Sequence, residues 1–345
     1  MVNYFKRVTA QTPTRFWINN VTREEAALAI EAGAVGCTQN PSYCLRMLTD
    51  ENEKDHTVEI LKEIISDEQD DNRALIRLQR EMVAIICRIF EPMYKESGGK
   101  LGYVSIQGDP FLEDEDSIVE FARFHAEAAP NIMAKIPVTV DGLKAIDILA
   151  REGVPINATE VMSVRQALDV CEVYLNATKG MSNPPVIYFS HIAGIFDEYL
   201  VETVSKQGID VNHDALWQAG IIVAKKIHEI TAERCYPVGF IGGGARGLHH
   251  FTEMVGGNVS ITINWKGTAE ELIKSNPPVV QRFLAPTPYS VVEELLQKIP
   301  DFAKAYKIDG IIPEEYEHFG PVAKFRGVFE DAWKRALTMI PDYRL

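Results

Sequence analysis

Lys135 is the residue of this sequence best suited to covalent chemistry. It lies in the segment NIMAKIPVT (131–139), which is otherwise mostly apolar. Strands of a parallel sheet are covered on both faces and are therefore nearly continuously hydrophobic. A lysine in such a strand either reaches solvent at the strand end or loses its proton readily, because burial disfavours the charged amine. A neutral buried amine is a suitable Schiff-base nucleophile. Considered by itself, Lys135 could instead form an ion pair on the surface at the end of the strand.

The elements that would position Lys135 follow a regular order. Short apolar segments alternate with helical patterns, which is typical of βα units. The predicted strands are Phe16–Asn19, Ala34–Thr38, Gly102–Gln107, Asn131–Ile136, Val154–Asn157, Val186–Ser190, Pro237–Ile241 and Val259–Ile263. The main predicted helices among them are Thr22–Glu31, Arg73–Tyr94, Ser117–Ala128, Gly142–Arg151, Ser163–Leu175, Asp214–Thr231 and Leu248–Met254. Eight strands with helical connections over about 250 residues predict an α/β fold, the (β/α)8 or TIM barrel.

Two parts of the chain fall outside this repeat. The acid-rich segment 50–71 has helical propensity and is predicted to be a solvated excursion between the second and third strands. The residues from 268 onward exceed what closing the barrel requires, and they contain helical patterns at Val291–Ile299 and Val322–Met339. We therefore expect a barrel at residues 1–267 and a helical C-terminal extension at residues 268–345. This extension would pack over the barrel or on a neighbouring subunit of a homo-oligomer.

Polar side chains stand where the predicted strands end, which is the face on which such barrels carry their chemistry. They are mainly amides and hydroxyls, with one amine and one arginine. In chain order they are Asn19, Thr38, Gln39, Asn40, Gln107, Lys135, Asn157, Thr159, Ser190, His191 and Arg246. Any one of them could be a turn former or a helix cap. Together they suit a hydroxylated substrate.

The composition and net charge of the chain argue against several classes of protein. The formal net charge is −14, and no basic tract is present that could neutralise nucleic-acid phosphates. No apolar run reaches transmembrane length, and the first residues lack the apolar core of a signal peptide. The cysteines are odd in number and lack metal-binding spacing: Cys37, Cys44, Cys87, Cys171 and Cys235. We expect a cytoplasmic protein without a metal, a cofactor, a nucleic-acid partner or a membrane partner.

From Trp17 to Trp265 the sequence resembles the transaldolase family, the Schiff-base aldolases of sugar phosphate metabolism. The most specific part lies within residues 131–167, with KIP at 135–137, GLKAI at 142–146, NAT at 157–159 and QA at 166–167. The segment TQNPS at 38–42 is similar to the family's Thr-Thr-Asn-Pro-Ser, and VSIQ at 104–107 is similar to its third strand. The resemblance implies a barrel enzyme that acts on a ketose or ketose phosphate.

The resemblance also implies roles for individual residues. Lys135 would form an iminium with the substrate carbonyl, and this iminium would be the electron sink for cleavage of the C3–C4 bond. Thr159 would position the water used in proton transfer during imine formation. Asn40 and Asn157 would hold substrate hydroxyls, and Arg246 would bind the substrate phosphate.

Three places depart from the family pattern. The aspartate that ends the family's first strand is here Asn19, and an amide cannot take up a proton at neutral pH. The third-strand glutamate is here Gln107, as in the related fructose 6-phosphate aldolases. After the sixth strand the family has Ser-Pro-Phe-Val-Gly-Arg, whereas this chain has SHIAGI at 190–195. The usual base and one of two phosphate-binding arginines are therefore missing.

Another residue could replace the missing base. His191 is one candidate, because an unperturbed imidazole titrates near neutral pH. The alternative for His191 is a structural hydrogen bond at the strand end. Glu160 and Asp197 are further candidates. Alternation along a strand, however, predicts that the side chain of Glu160 points away from that of Thr159.

Two other sequence patterns suggest a function, but the sequence around each of them does not support it. GGGARG at 242–247 fits the dinucleotide pattern G-x-G-x-x-G, but the next strand ends without an acidic residue and no further βαβ units follow. A loop that binds a phosphate or carboxylate is the simpler interpretation. His249 and His250 are adjacent and have no third metal ligand near them in sequence, so we interpret them as a surface pair at a helix start.

The sequence predicts a transaldolase-like Schiff-base enzyme that transfers or releases a dihydroxyacetone-type unit from a ketose, a ketose phosphate or a related sugar derivative. Asn19 is expected to occupy the position of the family's first-strand aspartate in the site, without acting as the base. The predicted catalytic residues are Lys135, Thr159, Gln107 and Asn19. The predicted substrate-binding residues are Asn40, Asn157, Ser190, His191 and Arg246. The alternative is a catalytically altered barrel that binds a sugar or sugar phosphate.

Overall fold

The computed structural model describes residues 2–344 and contains a closed barrel of eight parallel strands. The strands are hydrogen-bonded in chain order, and the first pairs with the last. They are β1 (Arg15–Asn19), β2 (Ala34–Thr38), β3 (Tyr103–Gln107), β4 (Ile132–Pro137), β5 (Ile156–Val161), β6 (Ile187–His191), β7 (Gly239–Gly242) and β8 (Ser260–Ile263). The (β/α)8 fold predicted from the sequence is confirmed.

Helices connect the strands and surround the barrel. Up to β8 they are α1 (Tyr4–Gln11), α2 (Arg23–Ala32), α3 (Tyr43–Thr49), α4 (Lys54–Ile65), α5 (Asp71–Glu96), α6 (Glu115–Ala126), α7 (Val140–Arg151), α8 (Val164–Ala177), α9 (Ala193–Gln207), α10 (His213–Trp217), α11 (Ala219–Glu233) and α12 (His249–Thr252). After β8 they are α13 (Glu270–Ser275), α14 (Tyr289–Lys298), α15 (Pro300–Tyr306) and α16 (Gly320–Met339). Within residues 2–344, no helix is both long enough and apolar enough to cross a bilayer.

Side-chain caps fix the starts of several helices. The Thr22 hydroxyl accepts from the backbone N–H of Glu25, and the Glu25 carboxylate accepts from the backbone N–H of Thr22, which together form a capping box at the start of α2. Directly after β4, the Thr139 hydroxyl caps α7 by accepting from the backbone N–H of Gly142. Asp214 was expected to open a helix, but it lies in the first turn of α10, and Asn212 is the cap. Such caps satisfy backbone donors that the helix leaves free.

The barrel interior has an apolar floor beneath a polar layer. The floor consists of Trp17, Tyr103, Met133 and Ile241. Gly36 is required beside this floor, because a Cβ there would lie 2.5 Å from the Trp17 indole. Successive inward positions are two residues apart along a strand. Two residues beyond Tyr103 and Met133, the inward side chains are Ser105 and Lys135. Period-two alternation therefore places polar groups at the carboxyl end of the barrel.

Some helical regions differ from the prediction. α9 follows β6 directly, although the sequence shows no side-chain cap at Ile192 and no helix was predicted there. The predicted helix at 214–231 is two helices, α10 and α11, which meet at Gln218. α4 is amphipathic and buries Leu61 and Ile64, so the segment 50–71 is not only a solvated excursion. In each case tertiary packing decides what the local pattern leaves open.

The C-terminal helices pack on the barrel of their own chain. α16 contacts α3, α5, α9 and β5, so it lies across the carboxyl face. Trp333 anchors this helix, because its ring is fully buried and its indole N–H donates to Asn72 Oδ1 at 2.8 Å. Phe325 and Phe329 of the same helix are also buried. α16 therefore covers the carboxyl face of its own barrel, while the division into a barrel at residues 1–267 and an extension at residues 268–345 stays a prediction.

Candidate active site

A cavity of about 250 Å³ opens at the carboxyl face of the barrel. Three apolar residues of α16, Phe325, Val328 and Phe329, form part of its wall. Six of the predicted site residues also line it: Asn19, Asn40, Lys135, Thr159, Ser190 and Arg246. The fold therefore brings most of the predicted site together. The apolar cover from α16 was not predicted, because the sequence does not indicate which part of the barrel a distant helix contacts.

Lys135 lies in β4, every residue of which is buried, and its exposed fraction is only 7%. Its Nζ is 3.4 Å from the backbone oxygen of Gln39 and 5.8 Å from the ring centre of Phe329. Burial lowers the pKa of Lys135 to about 8, although the Glu160 carboxyl group and the Cys37 thiol oppose the shift. At pH 7 about a tenth of this amine is therefore unprotonated and nucleophilic, far more than of an exposed lysine.

We expect the acylation rate of Lys135 to rise with pH and to reach a plateau above about pH 9. The neutral amine is the reacting form, and half of Lys135 is neutral at its pKa of about 8. Competitive labelling with acetic anhydride between about pH 6 and pH 11, followed by peptide mass spectrometry, measures this profile. Lys144 is the internal control, because Asp141 raises its pKa. Equal midpoints for the two lysines would contradict the depressed pKa.

Gln107 lies beside Lys135 on the neighbouring strand but is not part of the cavity wall. The Cα atoms of the two residues are partners across β3 and β4. The Gln107 side-chain amide donates to Glu160 Oε1 at 3.1 Å and to Glu113 Oε1 at 3.2 Å. Arg326, from α16, forms an ion pair with Glu113 at 2.7 Å. The side chain of Gln107 is therefore held between two carboxyl groups, and the sequence did not predict that these two groups lie close together.

Glu160 lies where β5 departs from a regular strand. Ala158 and Val161 pair with Phe189 and His191, so β5 contains one extra residue, a β-bulge. Glu160 lies in this bulge with φ of +65°, which is uncommon for a residue other than glycine. Its carboxyl group therefore reaches Gln107 and is completely buried. The bulge breaks the regular alternation that the prediction for Glu160 assumed, and the direction of its side chain relative to that of Thr159 stays a prediction.

Amides and hydroxyls form the polar part of the cavity wall. Asn19 accepts a hydrogen bond from the Thr38 hydroxyl and donates one to Asn264, both at 2.9 Å. The side-chain oxygen of Asn40 accepts two hydrogen bonds from neighbouring residues, at 2.9 and 3.0 Å. The buried hydroxyl of Thr159 has no hydrogen-bond partner within residues 2–344. This wall can orient the hydroxyls of a polar ligand.

Asn157 is buried and pairs with Lys135 across β4 and β5, but it does not line the cavity. Its Nδ2 donates to the Ser105 hydroxyl at 3.2 Å, and its Oδ1 accepts from the Ser190 hydroxyl at 2.7 Å. Ser190 lines the cavity, whereas Asn157 does not. In this arrangement Asn157 positions Ser190. The predicted contact between Asn157 and substrate stays a prediction, because Asn157 is not part of the cavity wall.

His191 lies on the outer face of β6, because its neighbour Ser190 faces the cavity. It is fully buried between two backbone oxygens, with Nδ1 2.9 Å from Val161 and Nε2 3.1 Å from Gly220. Burial lowers the pKa of His191 to about 4. The prediction of His191 as a substrate ligand is not supported by this position. Its geometry matches the structural alternative.

Arg246 lines the cavity from the loop after β7, as predicted. Its guanidinium forms an ion pair with Glu198 of α9. Its backbone N–H lies 3.4 Å from His250 Nδ1, and His250 Nε2 lies 2.9 Å from the carboxylate of Asp197. His250 is thus buried and supports the Arg246 loop. The interpretation of His250 as part of a surface pair is wrong.

Asp197, His249 and His250 form a cluster whose possible ligand atoms lie within 4.8 Å of one another. Asp197 supplies the third group that the sequence did not show. Both ring nitrogens of His250 and both oxygens of Asp197 are engaged in hydrogen bonds. His249 stacks on Trp217, with ring centres 4.0 Å apart. Because its groups bind each other, the cluster is a structural support rather than an open ligand site.

Comparison with known proteins shows which family this sequence resembles. The family described as Transaldolase/Fructose-6-phosphate aldolase matches residues 16–307. A transaldolase of Thiobacillus denitrificans is 30% identical over 168 residues, which are 46% of this chain and 46% of that protein. A transaldolase of Saccharopolyspora erythraea is 32% identical over 168 residues, 46% of this chain and 44% of that protein. A transaldolase of Acidothermus cellulolyticus is 27% identical over 220 residues, 60% of this chain and 58% of that protein.

The match with the family extends further than the matches with individual relatives. The chain spans about half the length of the curated relatives that it matches. The family match, in contrast, runs from β1 through α15 and includes every strand of the barrel. This chain therefore belongs to the transaldolase/fructose-6-phosphate aldolase family.

Proposed function

We propose that this protein is a Schiff-base enzyme that transfers or releases a dihydroxyacetone-type unit from a ketose or ketose phosphate. The observation that carries this proposal is Lys135, a buried lysine with a depressed pKa in the wall of a polar cavity. Burial keeps part of the amine neutral, and the cavity gives a small substrate access to it. Membership of the family supports the same type of reaction.

The proposed reaction begins when the neutral amine of Lys135 adds to the ketose carbonyl. Loss of water from the carbinolamine gives an iminium. Cleavage of the C3–C4 bond leaves its electron pair on an enzyme-bound enamine and releases an aldehyde, as the C4 hydroxyl loses its proton. The enamine then adds to a second aldehyde, which is transfer, or takes up a proton and is hydrolysed, which is cleavage.

The cavity wall supports distinct roles for its polar residues. Asn19, Asn40 and Ser190 face the cavity and can bind substrate hydroxyls. Asn19 cannot accept the C4 proton, because an amide is not basic at neutral pH. Its hydrogen bonds to Thr38 and Asn264 fix its orientation, which suits binding of a hydroxyl. Arg246 is the cation on this wall that we assign to a substrate phosphate.

A panel of phosphorylated and unphosphorylated ketoses tests the proposal. Each ketose is incubated with the protein, with and without an acceptor aldehyde, and the products are identified by mass spectrometry. A new ketose formed only with the acceptor indicates transfer, whereas a free three-carbon ketone indicates cleavage. A barrel that only binds sugars would show ligand-dependent thermal stabilisation without either product. That result would overturn the catalytic proposal in favour of the binding alternative.

We expect Arg246→Ala to raise the KM for a phosphorylated ketose by about 10- to 100-fold, which corresponds to the loss of one charge-assisted hydrogen bond. The KM for the same ketose without phosphate should change little. Glu198→Gln is the matched counter-test, because it removes the carboxylate that pairs with Arg246 and should lower the KM for the phosphorylated substrate. Equal losses by Arg246→Ala on both substrates would contradict the phosphate assignment.

A further inference from the structure

Glu160 has a conformation that the barrel itself does not need. Its φ of +65° places a residue with a large side chain in the left-handed region. Such strain persists only where the surrounding structure imposes it, and it is concentrated at functional sites. The side chain is also completely buried, although glutamate is rarely buried without a charged partner. Strain and burial together are unfavourable for folding, so a role for the carboxyl group must be sought in its surroundings.

Three buried polar atoms around Glu160 lack a hydrogen-bond partner within residues 2–344. They are Glu160 Oε2, Gln107 Oε1 and Thr159 Oγ1. Gln107 donates a hydrogen bond to Glu160 and is the strand partner of Lys135, while Thr159 precedes Glu160 in β5 and lines the cavity together with Lys135. We call these three side chains, which lie on the two strands that flank β4, the polar cluster. Nearly all buried polar atoms in proteins are hydrogen-bonded, and an ordered water commonly satisfies such a group. This cluster therefore has the donors and acceptors of a water site.

On the basis of the proposed function, we propose that Glu160 is the group that exchanges a proton with this water while the imine at Lys135 forms and is hydrolysed. Gln107 and Thr159 then position the water and the carboxyl group. The carboxylate accepts the proton that the nitrogen loses after its addition to the carbonyl, while the carbonyl oxygen takes up one proton from solvent, which gives the neutral carbinolamine. Glu160 then returns its proton through the water to the hydroxyl, which leaves as water. The iminium remains with the positive charge of the proton taken from solvent, and Glu160 is again a carboxylate. Hydrolysis of the imine runs through the same steps in reverse.

The charged groups that face Glu160 suit a carboxyl group that changes its protonation state. Glu113, in the loop after β3, is bound by the same Gln107 amide, and Arg326 approaches from α16. Burial raises the pKa of Glu160, while Arg326, Gln107 and Lys135 oppose the shift. Burial, together with the charge of Glu160, raises the pKa of Glu113 to about 8. The two neighbouring carboxyl groups therefore do not both ionise readily near neutral pH.

Glu160→Gln is the test, since it keeps the side-chain size and removes the ionisation. With dihydroxyacetone and fructose 6-phosphate as probes, borohydride trapping at short times should show imine formation slowed by about 100-fold or more. Trapping should still occur on Lys135, and the melting temperature should not fall. A plot of the trapping rate against pH should lose one ionisation. Glu317→Gln is the control, because it changes the other, exposed carboxylate that binds Arg326.

Exchanging the side chains of residues 107 and 160 tests whether the lost trapping rate can be restored. Gln107→Glu combined with Glu160→Gln moves the carboxylate to the other end of the same hydrogen bond, and it should recover at least about tenfold of the lost rate. Wild-type trapping rates and pH profile in Glu160→Gln would overturn the role of Glu160 while leaving the Schiff-base function intact. A folded Glu160→Gln variant that the exchange does not rescue would also overturn it. Failure of the wild-type protein to trap any ketose would instead overturn the proposed function, and this inference with it.

Discussion

Lys135→Met is expected to abolish imine trapping and to lower kcat by about 10⁴-fold or more, the scale of loss seen when an enzyme loses its nucleophile. Methionine is unbranched like lysine, is one heavy atom shorter and has no amine, so the shape of the cavity changes little. The free energy of unfolding should remain equal or increase, because the variant no longer buries a charge. Steady-state kinetics on the best substrate of the ketose panel, with urea unfolding of both proteins, measures the two effects.

Lys144→Met provides the matched control. Lys144 lies in α7, directly after the strand that carries Lys135, and its amine is half-exposed and paired with Asp141. The same substitution there should leave kcat and imine trapping unchanged. Loss of activity in both variants would indicate damage to the region rather than loss of a nucleophile. More than one tenth of wild-type activity in Lys135→Met would contradict the assignment of Lys135.

Trp333→Ala is expected to have the largest effect on stability, about 3–5 kcal/mol in the free energy of unfolding. Trp333 has no exposed surface and is the main anchor of α16 on the barrel. Its indole N–H donates to Asn72, which in turn donates to Asp109 in the loop after β3. Loss of the ring should therefore loosen both the cavity cover and the loop that carries Glu113. Urea unfolding, followed by tryptophan fluorescence and circular dichroism, gives the size of the loss.

Two other substitutions in α16 separate packing from hydrogen bonding. Trp333→Phe keeps most of the buried area but leaves Asn72 without its donor, so it should cost about 1–2 kcal/mol. Arg335→Ala changes an exposed residue on the same helix, and it should change stability by no more than about 0.5 kcal/mol. If Trp333→Ala were as mild as Arg335→Ala, α16 would not be held to the barrel by this residue.

The barrel could be predicted from the sequence because its signals are local. Buried parallel strands are short apolar segments, and the predicted and observed limits of β2 coincide at Ala34–Thr38. Period-two alternation then brings Lys135, Ser190 and Thr159 to the inside of the carboxyl face. For β5 the prediction ended at Asn157, whereas the strand continues to Val161. The polar residues of its end obscured the strand, although they are the part that forms the site.

The parts that were not predicted depend on irregular backbone or on contacts distant in sequence. Glu160 lies in a β-bulge of β5, where it reaches Gln107. No residue type in β5 predicts that bulge. Arg326 and Phe329 reach the site from a helix that begins more than 180 residues after Lys135. The partner of the buried His250 is Asp197, which lies on another helix. Such pairs are determined by tertiary packing, which a single sequence does not show.

The most direct test of the central claim is the site of covalent modification. The protein is incubated with dihydroxyacetone or fructose 6-phosphate, reduced with borohydride, digested and mapped by tandem mass spectrometry. We predict a ketose-derived mass increase on the peptide that contains Lys135, assigned to that residue, with every other lysine unmodified. A ketose adduct on a different lysine, or no adduct with any ketose of the panel, would contradict the account.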